Sequence, residues 1–332
     1  MNDTVLSSRV RLARNQSGTL FPNQRTAGLK SVIAAAARAA DGLMNYRLYF
    51  MKNMTALQKQ SFVEKHFISP RLASNSEFGA LILRDDENVS IMLNEEDHVR
   101  AQCILEGLQL LEAYAVLSEF DKKLEREMDI AFDERLGYLT ACPTNVGTGM
   151  RASVMMFLPA LYECDKTALL FGSLSELDYE IRGLYGEGTK AHGNMYQISN
   201  RRSLGLSEED ILEGVLKSAF TISAFELAAR EELTGFRGIA ARDRILKGFE
   251  LVFNLRRLTA AGLMELISDI KLGVILQILP FIDLNKLDKL VESGEPANLC
   301  LYAGRELNAD ERDIVRAELV RYHVARLAKI PI

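Results

Sequence analysis

The first part of the chain, up to about residue 230, alternates short apolar runs with turn residues, which predicts strands mixed with helices. The predicted strands cover residues 7–15, 46–51, 79–84, 88–94, 179–185 and 195–200. Where apolar positions recur every three or four residues, the pattern predicts helices instead. The predicted helices of this part cover residues 27–40, 55–66, 108–128, 166–176 and 207–230.

Two of these helices carry start signals, and one has a predicted buried face. Thr55 is expected to cap the second helix, and Ser207 with Asp210 resembles a capping box before the fifth. Helix 108–128 has the spacing of an amphipathic helix. Its predicted inward positions are Leu108, Leu111, Ala115 and Phe120.

Beyond residue 233 the strand signals stop. Two glycines, Gly235 and Gly238, interrupt the helical pattern there, and the segments that follow have apolar stripes at helical spacing. The predicted helices of this part cover residues 242–258, 260–272, 284–291 and 309–329. We therefore expect a catalytic domain over residues 1–232 that mixes strands and helices, and a helical C-terminal domain over residues 233–332.

Composition narrows the class of protein. Hydrophobic residues make up 48 % of the 332 residues, which supports a sizeable core and argues against disorder. The net charge of −5 gives no overall attraction to nucleic acid, so an anion site needs a local cluster of arginines. No apolar run approaches the roughly 20 residues that span a bilayer, and the N-terminus lacks the features of a signal peptide. The four cysteines show no C-x-x-C pair and no zinc spacing, so a reduced, cytoplasmic protein without a protein-bound metal is expected.

The stretch 138–158 predicts a strand, a loop that contains Gly147 and Gly149, and a second strand that begins near Arg151. Glycines let a backbone approach a ligand closely, and an arginine binds phosphate through a forked pair of donors. An ordinary hairpin turn explains the same spacing, because a single glycine-rich loop is a weak signal.

Charged residues cluster at two other places. Arg9 and Arg11 point to the same face of the predicted first strand, where they repel each other unless an anion or a carboxylate lies between them. A solvated edge strand is the alternative. Glu95, Glu96 and Asp97 are adjacent and would ordinarily form a solvated turn, but paired carboxylates also match a planar guanidinium.

Four segments in order resemble the phosphagen (guanidino) kinase family, and within it the bacterial protein-arginine kinases of the McsB type. They are SSRVRLARN at residues 7–15, NEEDH at 94–98, CPTNVGTGMR at 142–151 and RGLYGEG at 182–188. The resemblance covers nearly the whole chain, and four motifs in order are far more specific than one. It implies an α+β fold, in which an antiparallel sheet is flanked by helices and followed by an all-helical C-terminal domain.

The resemblance also implies roles for individual residues. Glu96 or its neighbour Glu95, together with Glu187, would grip a guanidinium and accept its proton, and Cys142 would tune the rate; a packed structural thiol is the alternative for Cys142. The implied ATP contacts are Ser7, Ser8, Arg9, Val10, Arg11, His66, Arg100, Arg151, Ala152, Ser153, Val154, Met155, Arg182, Gly183, Leu184, Tyr185, Gly186 and Glu187. Mg²⁺ is expected to bridge phosphate oxygens and to keep several waters.

A further motif lies near the C-terminus. Arg312, Asp313, Arg316 and Ala317 match the R-D-x-x-R-A motif with which the protein-arginine kinases bind phosphoarginine and couple it to activity. Arg312 and Arg316 share a helix face, and a solvated face with salt bridges is the alternative. The resemblance further suggests a homodimer and three partners besides protein substrates: a zinc-binding activator protein, a heat-shock repressor and a Clp-type unfoldase. It suggests neither nucleic acid nor a membrane as a partner.

These observations predict an ATP-dependent kinase that phosphorylates arginine side chains in proteins. Only six residues precede the first motif, where kinases of free guanidines carry a helical domain that helps to enclose the substrate, so we expect a site open on one side. A kinase of free arginine or of another small guanidine is the nearest alternative. A non-catalytic protein that binds phosphoarginine or a repressor is the alternative from another class.

Overall fold

The computed structural model describes residues 3–24, 28–41, 43, 45–74, 77–176, 178–183, 192–233 and 236–328. Ten strands lie in these ranges: β1 (Val5–Arg14), β2 (Tyr46–Phe50), β3 (Ala80–Arg84), β4 (Val89–Leu93), β5 (Val99–Glu106), β6 (Phe132–Asp133), β7 (Gly137–Tyr138), β8 (Met150–Phe157), β9 (Tyr179–Gly183) and β10 (Met195–Asn200). Eight of them form one antiparallel sheet in the order β2-β3-β4-β5-β1-β8-β10-β9, and β6 pairs with β7. The predicted antiparallel sheet is confirmed.

The predicted strands are confirmed to within about two residues, except that residues 184 and 185 of one of them lie outside the described ranges. One strand of the large sheet was missed, as was the short β6 outside it. β5 follows the acidic turn at residues 95–98 and pairs with both β1 and β4 at the centre of the sheet. Its sequence, VRAQCILE, places Arg100 and Gln102 among apolar residues, so its apolar run is too broken to suggest a central strand.

The two faces of the sheet differ in polarity. Val10 pairs with Ala152, and both are fully buried in a core that includes apolar residues of the neighbouring strands. On the other face Arg11 pairs with Arg151, and Arg9 pairs with Ser153. Because side chains alternate along a strand, this register collects the apolar residues on one face and the polar ones on the other.

The described ranges contain twelve α-helices: α1 (Leu29–Asp41), α2 (Ala56–Glu64), α3 (Pro70–Ser74), α4 (Leu110–Glu127), α5 (Pro159–Glu163), α6 (Thr167–Glu176), α7 (Glu208–Glu232), α8 (Phe236–Val252), α9 (Ala260–Ile275), α10 (Leu284–Ser293), α11 (Pro296–Ala303) and α12 (Ala309–Leu327). Apolar residues of α1, α4 and α7 share the core of the apolar face of the sheet. Thr55 and the pair Ser207 and Asp210 form capping boxes at the starts of α2 and α7, as predicted.

The predicted buried face of α4 is largely wrong. Phe120 is buried as expected, but Leu111 is 56 % exposed, Ala115 is exposed and Leu108 is only partly buried. The residues of α4 that face the core are Leu110, Ala113, Leu117, Phe120 and Leu124. Apolar residues occur on several sides of this helix, so sequence spacing alone did not determine which side packs on the sheet.

The helices α8 to α12 form a second core. Phe157 at the end of β8 and Met195 at the start of β10 pack into it, so this core adjoins the sheet at one end of these two strands. Leu233, at the predicted domain boundary, packs in the first core. The helical character predicted for the C-terminal part is confirmed, although α11 was not predicted. None of the helices in the described ranges is long and apolar enough to cross a membrane.

Candidate active site

The polar face of the sheet borders a cavity of about 760 Å³. Five arginines from four strands line it: Arg9 and Arg11 from β1, Arg100 from β5, Arg151 from β8 and Arg182 from β9. The structure thus brings together the five arginines that the sequence motifs had singled out. A cavity of this volume is typical of a small-molecule site.

The arginines of this cluster repel one another electrostatically. Burial and the charges of Arg9, Arg100, Arg151 and Arg182 lower the pKa of Arg11 well below its ordinary value. Among the described residues, its buried Nε atom has no hydrogen-bond partner. Like charges placed directly opposite each other on neighbouring strands destabilise a sheet, so an anionic ligand would stabilise the cluster.

Burial and the charges of Arg100 and Arg151 lower the pKa of Arg9 to about 9. A polar residue of β5 holds its guanidinium: the side-chain oxygen of Gln102 accepts from Arg9 Nε at 3.1 Å. The Gln102 amide in turn donates to the His66 carbonyl at 2.6 Å and to Ser90 Oγ at 2.7 Å. Gln102 was not predicted as a site residue; its only sequence signal is a polar side chain two residues after Arg100.

Glu180 was also missed. Its carboxylate pairs with Arg151 and with Arg182, whose Nε donates to Oε1 at 2.9 Å. Arg151 donates further to Ser199 Oγ at 2.9 Å. Because Glu180 and Arg182 are two apart on β9, they share one face of the strand, and this spacing was the available sequence signal.

His66 lines the same cavity and adopts a left-handed backbone conformation with φ of +60°. Loss of solvation and the charge of Arg9 lower its pKa to about 4. Part of the residue is exposed, and solvent screening weakens such a shift without reversing it. The imidazole is therefore neutral near pH 7 and can donate or accept a hydrogen bond at the cavity.

Of the other predicted ATP contacts, some line the cavity and others do not. Ser7 and Met155 line the cavity, and Ser153 lies on the same face, where it accepts from Gln197 Nε2 at 2.9 Å. The side chains of Val10, Ala152 and Val154 lie in the core on the opposite face of the sheet. The Ser8 hydroxyl donates to the Gly107 carbonyl at 2.8 Å. Gly183 is the last residue of β9. Leu184, Tyr185, Gly186 and Glu187 lie outside the described residues.

The acidic turn lies beside the cavity. Glu95 is buried, and its carboxylate contacts two cavity-lining residues, Ser69 Oγ at 2.5 Å and Arg100 at 3.1 Å. The side chain of Glu96 is 36 % exposed and lies 3.7 Å from Arg71. Both carboxylates thus contact an arginine, but Glu95 is buried, whereas Glu96 remains accessible to solvent.

Asp97 connects the acidic turn to the loop of Cys142. Its Oδ1 accepts from Asn15 Nδ2 and from the backbone amide of Ala141, both at 2.7 Å. Burial raises the pKa of this carboxyl above its ordinary value. The Cys142 thiol lies 3.1 Å from Thr144 Oγ1, whereas the Thr140 hydroxyl donates to the Cys142 carbonyl rather than to its sulfur.

The two glycines of the 138–158 stretch are required for close approach. Gly149 has φ of +63°, and a Cβ there would lie 2.6 Å from the guanidinium of Arg14. Gly147 has φ of +117°, and a Cβ there would lie 2.6 Å from the Ser203 carbonyl. Arg14 donates to the Thr148 carbonyl at 3.0 Å and pairs with Asp121, so it fixes the loop from beneath the sheet. The predicted glycine-bearing loop and the strand after it, β8, are confirmed, whereas the strand predicted to begin at Tyr138 is only the two-residue β7, which ends there.

Helices α2, α10 and α11 form the opposite wall of the cavity. Glu64, the last residue of α2, accepts from the backbone amides of Ala297 and Asn298 at 2.9–3.0 Å and so caps α11. Asn285 of α10 donates to Glu106 Oε2 at 3.1 Å. The C-terminal helices therefore contribute to the same cavity as the arginine cluster.

The R-D-x-x-R-A segment lies on α12. Arg316 is buried and donates to the carbonyls of Gly294 and Leu258, both at 2.8 Å, and to Asp313 at 2.7 Å. Arg312 is partly buried, and Ala317 is fully buried. In this conformation Arg316 holds the end of α10, so of the two arginines Arg312 is the more available to a ligand.

Metal-binding side chains do not cluster in the described ranges, where no group of three His, Cys, Asp or Glu residues could hold an ion. The four cysteines are free thiols.

Known proteins resemble this chain over most of its length. Residues 29–229 match the family described as ATP:guanido phosphotransferase, C-terminal catalytic domain, and residues 239–331 match the protein-arginine kinase McsB C-terminal domain. The chain is 45 % identical over 324 residues to a protein-arginine kinase of Caldanaerobacter subterraneus subsp. tengcongensis, with 96 % of each chain covered. It is 44 % identical over 326 residues to a protein-arginine kinase of Symbiobacterium thermophilum, covering 96 % of this chain and 92 % of that one. The crystal structure of lombricine kinase is similar with a TM-score of 0.59 and 26 % identity, covering 69 % of this chain and 67 % of that one.

Proposed function

Since the chain belongs to the ATP:guanido phosphotransferase family, we propose that it is an ATP-dependent protein-arginine kinase, as its named relatives are. It transfers the γ-phosphoryl group of ATP to the guanidinium of arginine side chains in proteins. The observation that carries the proposal is the convergence of five guanidiniums on one cavity that lacks enough negative charge of its own. A nucleoside triphosphate supplies that negative charge.

In the proposed site, the arginines bind the phosphates and Mg²⁺ arrives on the nucleotide, held by phosphate oxygens and water. Arg11 is affected by the charges of the four other arginines, and Arg9 is held in place by Gln102. Phosphoryl transfer requires positioning and charge neutralisation more than covalent help from the protein, which suits a site built from guanidiniums.

The substrate guanidinium approaches from the side of the acidic turn. Its pKa of about 12.5–13.8 keeps it protonated, so a carboxylate has to align it and take a proton as it reacts. A guanidinium nitrogen attacks the γ-phosphorus, the bond to the bridging oxygen breaks to leave ADP, and the proton passes to a carboxylate. We assign this role to Glu96 and Glu187, with Glu95 orienting Arg100, and a rate-tuning role to Cys142.

A coupled ADP-release assay tests the activity. It compares a casein-like protein with free L-arginine and is followed by mass spectrometry under conditions that spare acid-labile phosphate. We expect phosphate on arginines of the protein and negligible turnover of free arginine. Robust turnover of free arginine without phosphate on protein would favour the small-guanidine kinase, and ATP-independent binding of phosphoarginine without ADP release would favour the non-catalytic alternative.

Variants of the two proposed carboxylates separate chemistry from binding. Glu96→Gln and Glu187→Gln should keep ATP affinity and lose most phosphoryl transfer in single-turnover assays, since each removes a group aligned on the cation rather than on phosphate. Near wild-type rates in both variants would contradict the two-carboxylate scheme.

The proposal extends to regulation and partners through the family resemblance alone. It includes phosphoarginine binding at Arg312, Asp313, Arg316 and Ala317, a cytoplasmic location, a homodimer, and the activator, repressor and unfoldase named above. Of these, phosphoarginine binding has the most direct test, because Arg312 and Arg316 differ so clearly in their contacts.

A further inference from the structure

The arginine cluster contains a carboxylate that neither the motifs nor the proposed reaction uses. Of the five guanidiniums, Arg100 is paired with Glu95, and Arg151 and Arg182 share Glu180. Arg9 is held by the neutral amide of Gln102. Glu180 is therefore the carboxylate that bridges two of the proposed phosphate-binding arginines.

The position of Glu180 follows from the strand register. Ser199 pairs with Glu180 and with Ser153 on its other side, and Gln197 pairs with Arg182. Glu180 consequently lies on the polar face of the sheet, with a side chain that is 22 % exposed. Its two oxygens divide between two cations: Oε2 pairs with Arg151, and Oε1 accepts from Arg182 Nε at 2.9 Å.

A carboxylate and a phosphate bind a guanidinium in the same way, through forked pairs of charge-assisted hydrogen bonds. The N–H groups of Arg151 and Arg182 that Glu180 occupies are thus of the kind that a phosphate would need. Glu180 also offsets one positive charge inside the cluster, and removing that offset strengthens the attraction of every nearby cation for an anion.

We propose that Glu180 is a positioning residue that occupies the phosphate-binding donors of Arg151 and Arg182 when no nucleotide is bound, and gives them up to phosphate when ATP enters. It keeps two guanidiniums ordered in the cavity. It also limits the affinity of the cluster for anions, so that ADP leaves after phosphoryl transfer. This inference rests on the proposed assignment of the cavity to ATP.

Three substitutions separate charge from geometry. Glu180→Gln keeps the length of the side chain and one acceptor oxygen but removes the charge. Glu180→Asp keeps the charge, but its shorter side chain cannot bridge both guanidiniums. Glu127→Gln is the matched control, because it removes the same charge from an ion pair with Arg38 on the helical side of the protein.

Calorimetric titration with ATP and with ADP at several salt concentrations, without protein substrate, gives the binding readout. We expect Glu180→Gln to bind both nucleotides about three- to tenfold more tightly than wild type, with a steeper loss of affinity as salt rises. Under steady-state turnover its KM for ATP should fall and its kcat should fall as well, because ADP release slows. Glu180→Asp should lose kcat without the gain in affinity, and Glu127→Gln should match wild type in both.

A merely structural role predicts a different pattern. If Glu180→Gln binds nucleotide as wild type does, or more weakly, while its thermal melting temperature falls, Glu180 does not occupy donors that phosphate would otherwise bind, and the proposed role is wrong. If the wild-type protein itself binds no ATP, the proposed function fails instead. Binding and phosphorylation by wild type with an unaltered Glu180→Gln variant would overturn the present inference alone.

Discussion

Arg11 shows how a single residue can favour function over stability. Its guanidinium faces four other arginines, and its pKa is lowered because the charged form loses solvation and meets like charges. Such an arrangement destabilises the ligand-free protein and becomes favourable when an anion binds. The sequence predicted that Arg9 and Arg11 share a face, but it did not predict that the carboxylates of the cluster pair with other arginines.

Replacing this guanidinium with an apolar side chain separates the two effects. Arg11→Met should stabilise the nucleotide-free protein by about 1 kcal/mol, because it removes like-charge repulsion and a partly buried cation. It should also weaken ATP binding by at least tenfold, since a charge-assisted contact is worth about 1.5–3 kcal/mol. Thermal melting and calorimetric titration measure the two quantities.

The control is Arg47→Met, which removes an exposed ion pair with Asp85 and should change neither quantity. A loss of stability in Arg11→Met would show that the guanidinium has a structural partner and is not a strained phosphate ligand.

At the same scale, Arg312 and Arg316 should behave differently. Arg316→Ala leaves two carbonyls and Asp313 without their donor, so we expect a loss of about 2–4 kcal/mol in unfolding free energy. Arg312→Ala should leave stability nearly unchanged and abolish any stimulation of activity by added phosphoarginine. Denaturant unfolding and kinase assays with and without phosphoarginine measure this. An Arg312→Ala enzyme that still responds would show that Arg312 does not bind phosphoarginine.

At the scale of elements, the site depends on strand register more than on any local motif. Most helices and the other seven strands of the large sheet were predictable, because capping boxes and apolar runs are local signals. β5 was not, because Arg100 and Gln102 lie on the polar face of the sheet and interrupt its apolar pattern. Glu180 and Ser199 could not be linked to Arg151, because a contact between strands depends on register, which the sequence of each strand does not specify.

Asp97 links two of these elements, and its two variants should differ. Asp97→Ala removes the acceptor of the Ala141 amide and one of the two acceptors of Asn15 Nδ2, so we expect a loss of about 1–3 kcal/mol in stability and a displaced Cys142 loop. Asp97→Asn retains an oxygen at the position that accepts both bonds, so it should fold and keep activity. Denaturant unfolding and the reactivity of Cys142 toward a thiol reagent measure the difference.

The raised pKa of Asp97 determines how the stabilities of wild type and Asp97→Asn should differ as the pH changes. Burial raises the pKa of Asp97 above 3.8, so the folded state binds that proton more tightly than the unfolded state. The resulting stabilisation is complete below pH 3.8 and is lost as the pH rises through the raised pKa. Asp97→Asn should therefore gain stability relative to wild type between pH 3 and pH 7, and a constant difference across that range would contradict this assignment.

At the scale of the whole molecule, the cavity joins two parts of the chain that are far apart in sequence. The sheet supplies the arginines, and α2, α10 and α11 supply the facing wall. The sequence predicted helices after residue 233 but not their place, because contacts such as Asn285 to Glu106 leave no local signal. Since Arg316 donates to Gly294 and Glu64 caps the next helix, the segment proposed to bind phosphoarginine and the cavity wall are connected through adjoining contacts.

Because of this connection, nucleotide binding in the cavity should also affect helix α11. Glu64 is the carboxylate that satisfies the first amides of α11, a helix whose own N-cap residue makes no side-chain cap bond. ATP bound in the cavity should therefore slow amide hydrogen exchange in residues 296–303 as well as in β1 and β8.

In Glu64→Ala the exchange of these α11 amides should rise about five- to thirtyfold, as expected for about 1–2 kcal/mol of lost capping. ATP should still protect β1 and β8 in that variant but no longer protect α11. Thr55→Ala, which removes the cap of α2 alone, is the control, and equal protection of α11 by ATP in Glu64→Ala and wild type would show that the wall is coupled to the sheet by another route.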